Sequence, residues 1–346
     1  MNRSPENSAS HSTGPLVDQF GRGHTNLRLS VTDRCNIRCF YCMPAENVQF
    51  RPRVELLTFE EMVQFVQAVV PLGINKLRLT GGEPLVRRGL ASLISQLRTI
   101  PGLDDIALTT NGILLAEQAA GLKAAGLDRL NVSLDSLDEQ VFEKITRRTG
   151  LDAVLKGIAA AQAAGFDNIR LNAIAIRGLT ESEIVPLGRF AIEHGLELRF
   201  IEFMPLDADG AWEESDVLTG TEIRRTLEAE FGKLTPVHRD DPSQPAVDFQ
   251  FVNGGGRVGF INPVSEPFCS SCNRLRLTAE GQIRNCLFSH EEWDARAVLR
   301  SELEPAQREP AIQDLVRSAI GAKAKAHGIS EAGFQQPARA MYQIGG

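Results

Sequence analysis

From Asn26 onward, short apolar runs alternate with longer amphipathic stretches, the rhythm of a chain that winds strand–helix units around a parallel sheet. Strands are expected at Asn26–Val31, Lys76–Thr80, Ile106–Thr110, Leu130–Leu134, Ile169–Ile176 and Glu197–Phe203. Helices are expected at Leu57–Leu72, Leu90–Leu97, Leu115–Ala125, Glu139–Ile145, Val154–Ala164 and Glu183–His194. The first helix carries its own start signal, a Thr58/Glu61 capping box. Phe59, Met62, Val63, Val66, Val69 and Val70 then share one face at helical spacing. Six strand–helix steps are too few for a closed eight-fold barrel, so the expected fold is α/β, a partial (β/α)6 TIM-like barrel. The unusual residues collect behind the strands, at Cys35–Cys42, Gly81–Pro84, Thr109–Gly112, Ser133–Asp135 and Glu202–Met204. In parallel α/β folds sites are built at the C-terminal strand ends.

The rhythm breaks after Pro205, and residues 236–263 are rich in Pro, Gly and Asp. The reading divides the chain into a disordered polar tail (1–15), the partial barrel (16–230) and a C-terminal extension (231–346). No apolar run reaches the length of a membrane span, and residues 1–20 lack a signal-peptide pattern, so a cytoplasmic protein is expected. Net charge is 37 − 44 = −7, which points away from nucleic acid and anionic membranes as partners. An anionic substrate would have to be held by local arginines.

In a reducing compartment clustered cysteines signal metal or catalysis more than disulfides. All six cysteines fall in two triplets, Cys35-x-x-x-Cys39-x-x-Cys42 and Cys269-x-x-Cys272 with Cys286. Structural zinc is closed by four ligands, and a four-cysteine iron–sulfur cluster fills all its corners. A triplet leaves one metal position for something else, although zinc or inert thiols remain readings of either set. Gly81-Gly82-Glu83-Pro84 follows a strand; glycines there allow close backbone approach, and the carboxylate could hold a ligand's ammonium group. Arg28, Arg78, Arg274 and Arg276 alternate with leucines next to these motifs, and guanidinium forks suit phosphate oxygens. The chain has no Walker-type phosphate loop, and Gly254-Gly255-Gly256 reads as a hairpin turn. Its six histidines (His11, His24, His194, His238, His290 and His327) form no ligand pair or triad, so no conventional acid–base residue is assigned.

The CxxxCxxC loop followed by a GGEP turn resembles the radical S-adenosylmethionine (SAM) superfamily. Asn26–Asn36, Leu77–Leu85, Thr109–Gly112, Asn131–Asp135, Phe200–Met204, Phe268–Leu277 and the terminal Gly345-Gly346 resemble the GTP 3′,8-cyclase family within it. That resemblance runs from about residue 16 to the end. It implies two [4Fe-4S] clusters, one at Cys35, Cys39 and Cys42 that binds SAM and one at Cys269, Cys272 and Cys286 that contacts the guanine base. It implies SAM contacts at Tyr41, Gly81, Gly82, Glu83, Ser133 and Met204. GTP contacts are implied at Arg28, Arg78, Thr109, Arg170, Arg274, Leu275 and Arg276; some relatives have lysine where Arg170 stands. The terminal Gly-Gly would reach the active site. The implied reaction converts GTP to its 3′,8-cyclo-7,8-dihydro form, the first step of molybdenum cofactor biosynthesis. Implied partners are a flavodoxin- or ferredoxin-type electron donor and cyclic pyranopterin monophosphate synthase, which takes the product; a homodimer is a conceivable assembly. Two alternatives stand beside this reading: a radical SAM peptide-modifying enzyme with an auxiliary cluster, and a non-catalytic iron–sulfur redox sensor.

Overall fold

The computed structural model describes residues 14–345. Most of the tail expected at 1–15, and the final Gly346, lie outside them. The six expected strands form: β1 (Asn26–Ser30), β2 (Lys76–Thr80), β3 (Asp105–Thr110), β4 (Arg129–Ser133), β5 (Ile169–Ala175) and β6 (Glu197–Glu202). Each pairs in parallel with the next. Between them run α1 (Phe59–Val69), α2 (Leu90–Arg98), α3 (Leu115–Ala124), α4 (Glu139–Thr146), α5 (Leu151–Ala163) and α6 (Ile184–Glu193). The Thr58/Glu61 capping box starts α1, and its Met62, Phe65, Val66 and Val69 are buried.

After α7 (Gly220–Phe231) the chain adds β7 (Leu234–Pro236), β8 (Val247–Phe251) and β9 (Arg257–Ile261). The β8–β9 pair is an antiparallel hairpin turned by residues 252–256, as the glycine triplet suggests. Its β9 lies parallel to β6. Then β10 (Arg274–Leu277), β11 (Gln282–Arg284) and β12 (Trp293–Asp294) build on the opposite edge, with β10 parallel to β1. The chain finishes with α8 (Ala295–Leu299), α9 (Pro305–Gly321) and α10 (Met341–Ile344). One unclosed twelve-stranded sheet results, in the order β12-β11-β10-β1-β2-β3-β4-β5-β6-β9-β8-β7. The late segments therefore lengthen the sheet at both edges of the six-strand core. The partners in the β1–β10 register, such as Leu27 and Leu275, lie about 250 residues apart, so no local pattern announces the pairing. Among the described residues no helix is long and apolar enough to cross a membrane.

Leucine, isoleucine and valine from the parallel strands and the helices covering them form one main core. A smaller apolar cluster around Leu206, Val217, Val264, Phe288, Ile329 and Ile344 joins the loop after β6 to the C-terminal segments. One close helix contact bears on the site. A Cβ on Gly157 of α5 would lie 2.5 Å from the Gly112 carbonyl oxygen, in the turn after β3. Gly157→Ala is therefore expected to destabilise the fold by about 1–3 kcal/mol, despite alanine's better helix propensity. A lower midpoint in chemical denaturation checks it; an unchanged or higher midpoint contradicts the contact.

Candidate active site

A cavity runs from the middle of the strands to their C-terminal ends. Its walls include Arg28, Arg78, Arg199 and Arg276 from the strands, and Cys35, Cys39 and Cys42 from the loop after β1. That loop is held on two sides. Against α4, Arg38 N donates to Thr146 O at 2.8 Å and Phe40 N to Ile145 O at 3.1 Å. Against the turn after β2, Gly82 N donates to Thr32 O and Glu83 N to Arg34 O, both at 2.8 Å. A Cβ on Gly81 would stand 2.3 Å from Thr32 O, and one on Gly82 2.4 Å from Arg34 O. Gly81 also has a φ of 137°, where glycine is favoured. The glycine pair thus lets the turn lie flush against the cysteine loop's own backbone.

The Glu83 carboxylate, expected to hold a ligand's ammonium group, lines the cavity and is also held by the chain. One of its oxygens accepts from Thr110 Oγ1 at 2.7 Å and Leu85 N at 3.0 Å, the other from Asn111 N at 2.6 Å. The residue is 1% exposed, and burial raises its pKa to about 7 although those three donors pull it down. Short of solvent, the carboxylate finds its partners in the chain, and it staples the ends of β2 and β3 together. Asn111 reaches back through Nδ2 to Asn36 Oδ1 at 2.7 Å, closing the circuit to the cysteine loop.

Tyr41 lines the cavity, and its hydroxyl donates to Asp135 Oδ2 at 2.7 Å. Asp135 Oδ1 accepts from Ile174 N at 2.8 Å, and burial lifts its pKa to about 6 against both hydrogen bonds. Ser133, Met204 and Thr109 also line the cavity, and Thr109 Oγ1 is buried with no hydrogen-bond partner among the described residues.

The arginines supply the dominant electrostatic feature. In the β10–β1–β2 register, Arg276 lies beside Arg28 and Arg28 beside Arg78. Among the described residues, none of these three nor Arg274 has a carboxylate in ion-pair range. Burial, then repulsion from Arg276 and Arg274, pushes the pKa of Arg28 well down. Burial and Arg28 do the same to Arg78, and burial with Arg274 brings Arg276 to about 9. Guanidinium groups stay protonated in proteins, so the row is held charged against its burial first and its mutual repulsion second, and an anion relieves both.

Sequence reasoning missed a further cation here. Arg199 is 3% exposed and faces the cavity, with Nε and Nη2 lacking hydrogen bonds and its carboxylate neighbours Glu197 and Asp248 at 3.7 and 3.5 Å. It stands in Leu198-Arg199-Phe200, the alternation that marks Arg28 and Arg78, so the signal was present. Arg170 differs from its expected role: it is outside the cavity lining, and its Nε donates to Glu197. Two residues from Arg199, that glutamate is the nearer acceptor for it. Leu275 is fully buried in the core. Gly345 does reach this region, for Arg276 Nη1 donates to its carbonyl oxygen.

Burial pushes the Cys35 thiol up to about 11, and the pKa values of Cys39 and Cys42 are also raised by burial and neighbouring negative groups. Cys39 feels both other cysteines, so the three thiols are gathered in one electrostatic neighbourhood. Among the described residues no three Cys, His, Asp or Glu side chains converge tightly enough to hold a single metal ion. Thiolates that each take a separate iron of a cubane need no such common point, and the donor set of three thiols fits a cluster. Iron would also supply the positive charge that buried thiolates lack.

The second triplet lies outside the cavity lining, but its neighbours Phe268, Arg274, Arg276 and Leu287 are in it. Cys269 feels Cys286 and Cys272. Cys272 differs from the first set: burial works upward, yet Arg274 and Lys323 overcome it and bring its pKa to about 6. A thiol so placed is largely thiolate at neutral pH and ready for iron.

Comparison with known proteins agrees with this anatomy. Residues 29–191 match the family model of the Radical SAM superfamily, and residues 196–329 that of Molybdenum Cofactor Synthesis C. A protein of Rhodopirellula baltica named GTP 3′,8-cyclase is 52% identical over 96% of this chain and 92% of its own length. One of the same name from Geobacter sulfurreducens is 42% identical over 96% and 99%. Among solved structures, Streptococcus suis SuiB bound to precursor peptide SuiA superposes with a TM-score of 0.61. That match has 13% identity and covers 88% of this chain and 67% of that one, so it speaks for the fold alone.

The arginine row predicts an anion response independent of any reaction. Inorganic triphosphate should raise the melting temperature of the wild-type protein, and Arg28→Met should weaken that response at least about tenfold in midpoint concentration. Thermal melts at a series of anion concentrations test this; an equal response in both proteins would refute the row as an anion site.

Proposed function

The chain belongs to the GTP 3′,8-cyclase family of radical SAM enzymes, and from that premise we propose how its residues divide the work. The enzyme catalyses the first step of molybdenum cofactor biosynthesis, and its family implies a [4Fe-4S] cluster and SAM. The observation that carries the proposal is one cavity bordered both by the first cysteine triplet and by the register-aligned row Arg276–Arg28–Arg78.

Cys35, Cys39 and Cys42 are the ligands of the SAM-binding cluster. When bound, cluster and SAM supply a reducing electron and the 5′-deoxyadenosyl group that takes the hydrogen from C3′ of GTP. Tyr41, Gly81, Gly82, Ser133 and Met204 form the SAM-side wall of the cavity, with Glu83 fixing the turn. Arg28, Arg78, Arg276 and Arg199 hold the triphosphate, with Arg274 and Thr109 at the same nucleotide. Arg170 serves that set from behind, by engaging Glu197, which lies within 3.7 Å of Arg199. Cys269, Cys272 and Cys286 hold a second [4Fe-4S] cluster that meets the guanine base beyond Arg274. In net, SAM takes one electron and splits at its sulfonium–C5′ bond into methionine and, with the C3′ hydrogen, 5′-deoxyadenosine, while the C3′–C8 bond forms and the guanine takes up a second electron and one proton. Fixed cations and a fixed base hold C3′ in a near-attack position, the contribution expected to dominate. Residues 16–230 thus serve the radical chemistry and 231–346 the base, the two sharing the triphosphate through the arginine row, in a cytoplasmic enzyme. Its reducing equivalents come from a flavodoxin- or ferredoxin-type donor, and its product passes to cyclic pyranopterin monophosphate synthase.

The fold likeness to a peptide-bound enzyme does not favour peptide modification, because at 13% identity it speaks for the fold alone, whereas the relatives at 42–52% identity are named GTP 3′,8-cyclase. An anaerobic single-turnover assay with SAM, dithionite and GTP, with ATP as comparison, tests the proposal. The expected result is GTP-dependent 5′-deoxyadenosine together with a cyclised nucleotide. Deoxyadenosine without nucleotide product would refute the substrate assignment, and neither product from protein holding both clusters would refute the catalytic one.

A further inference from the structure

Lys323 is the one lysine among the buried residues described, at 3% exposure. It lies just beyond α9, in a plain Ala-Lys-Ala-Lys run that carries no motif. Burying an ammonium costs several kcal/mol unless its charge and its donors are matched. Its Nζ donates to Arg274 O at 2.9 Å and to Asn285 O. Those two carbonyls flank the second cysteine set: Arg274 is two residues past Cys272, and Asn285 immediately precedes Cys286. One side chain therefore bridges the two strand ends that carry these cysteines.

The charges around Lys323 are as specific as its hydrogen bonds. The Cys272 and Cys286 sulfurs attract it, while Arg274 and Arg22 repel it. Among the described residues no carboxylate lies within ion-pair range of its ammonium. Its neighbour Arg22 is treated differently: the guanidinium is paired with Asp18 at 2.6 Å before it donates to Cys269 O at 2.7 Å, Lys325 O at 2.9 Å and Ala324 O at 2.7 Å. The fold thus spends a carboxylate on Arg22 and leaves Lys323 to be balanced by sulfur. Neutral thiols would balance it poorly, whereas thiolates bound to iron would do so well. Gln19 Nε2, at 3.2 Å from Lys323 O, fixes the backbone of the lysine itself.

We infer that Lys323 is a positioning residue of the second cluster, setting the separation of the Cys272 and Cys286 loops and holding a fixed positive charge beside their sulfurs. The inference rests on the reading that Cys269, Cys272 and Cys286 bind a cluster. Removing the charge should both weaken cluster retention and disfavour the more negative, reduced cluster, moving its midpoint potential down.

The test compares wild type, Lys323→Met and Lys323→Arg as full-length, anaerobically reconstituted proteins. Iron and sulfide are counted per chain, and the reduced cluster whose electron paramagnetic resonance signal is unchanged by SAM is titrated redox-chemically. In Lys323→Met, iron should fall by up to half while the SAM-responsive signal persists, and any remaining second signal should titrate at a more negative potential. Lys323→Arg should restore both measurements toward wild type. Full iron with an unchanged second potential in Lys323→Met would overturn the inference. So would loss of both clusters together, or a Lys323→Arg protein no better than Lys323→Met, because the lysine would then be supporting the fold at large. A wild-type protein holding a single cluster would remove the reading beneath it, and shows itself before any substitution is made.

Discussion

Guanidinium groups on three adjacent strands, at the same level and without carboxylate partners among the described residues, repel one another in a region shielded from water. Such an arrangement costs stability until an anion is bound, the mark of a site built to hold one. Much else in the fold follows from it. The row exists only because β10, from late in the chain, lies parallel to β1 and brings Arg276 level with Arg28. The same strand carries Arg274, which sits over the Phe268 ring at 4.7 Å and lowers the pKa of Cys272. Anion site and second cysteine set are therefore joined through one strand.

The other end of the cavity is organised by backbone proximity. Gly81 and Gly82 let the turn after β2 press on residues 32–34, and the Glu83 carboxylate ties that turn to Thr110 and Asn111. Glu202 repeats the device at the end of β6, where its Oε2 accepts from Val264 N and Ser265 N, both at 2.9 Å. Buried carboxylates thus cross-link neighbouring loops along the rim, which fixes the walls of the cavity before any ligand arrives.

The strand–helix rhythm, the cysteine triplets and the arginines in leucine alternation were all legible in the sequence, because each is encoded by residues a few positions apart. The extension's two-sided addition to the sheet was not, since its pairings join residues far apart in the chain. Arg199 was legible by the rule applied to Arg28 and was passed over. The chain donors on Glu83 were not, because the turn that supplies Thr110 and Asn111 lies 27 and 28 residues further on. Arg170 shows the same limit: its charge is visible in sequence, but its engagement with Glu197 depends on the β5–β6 register. Lys323 is the extreme case, an unremarkable lysine whose surroundings are set by tertiary structure alone.

Whether the arginine row reads the triphosphate is decided by anaerobic equilibrium binding of GTP, GDP and guanosine to the cluster-loaded protein at several salt concentrations. Affinity should fall stepwise as phosphates are removed, with a salt dependence that is steep for GTP and nearly flat for guanosine. Guanosine binding as tightly as GTP, with the same salt dependence, would contradict it.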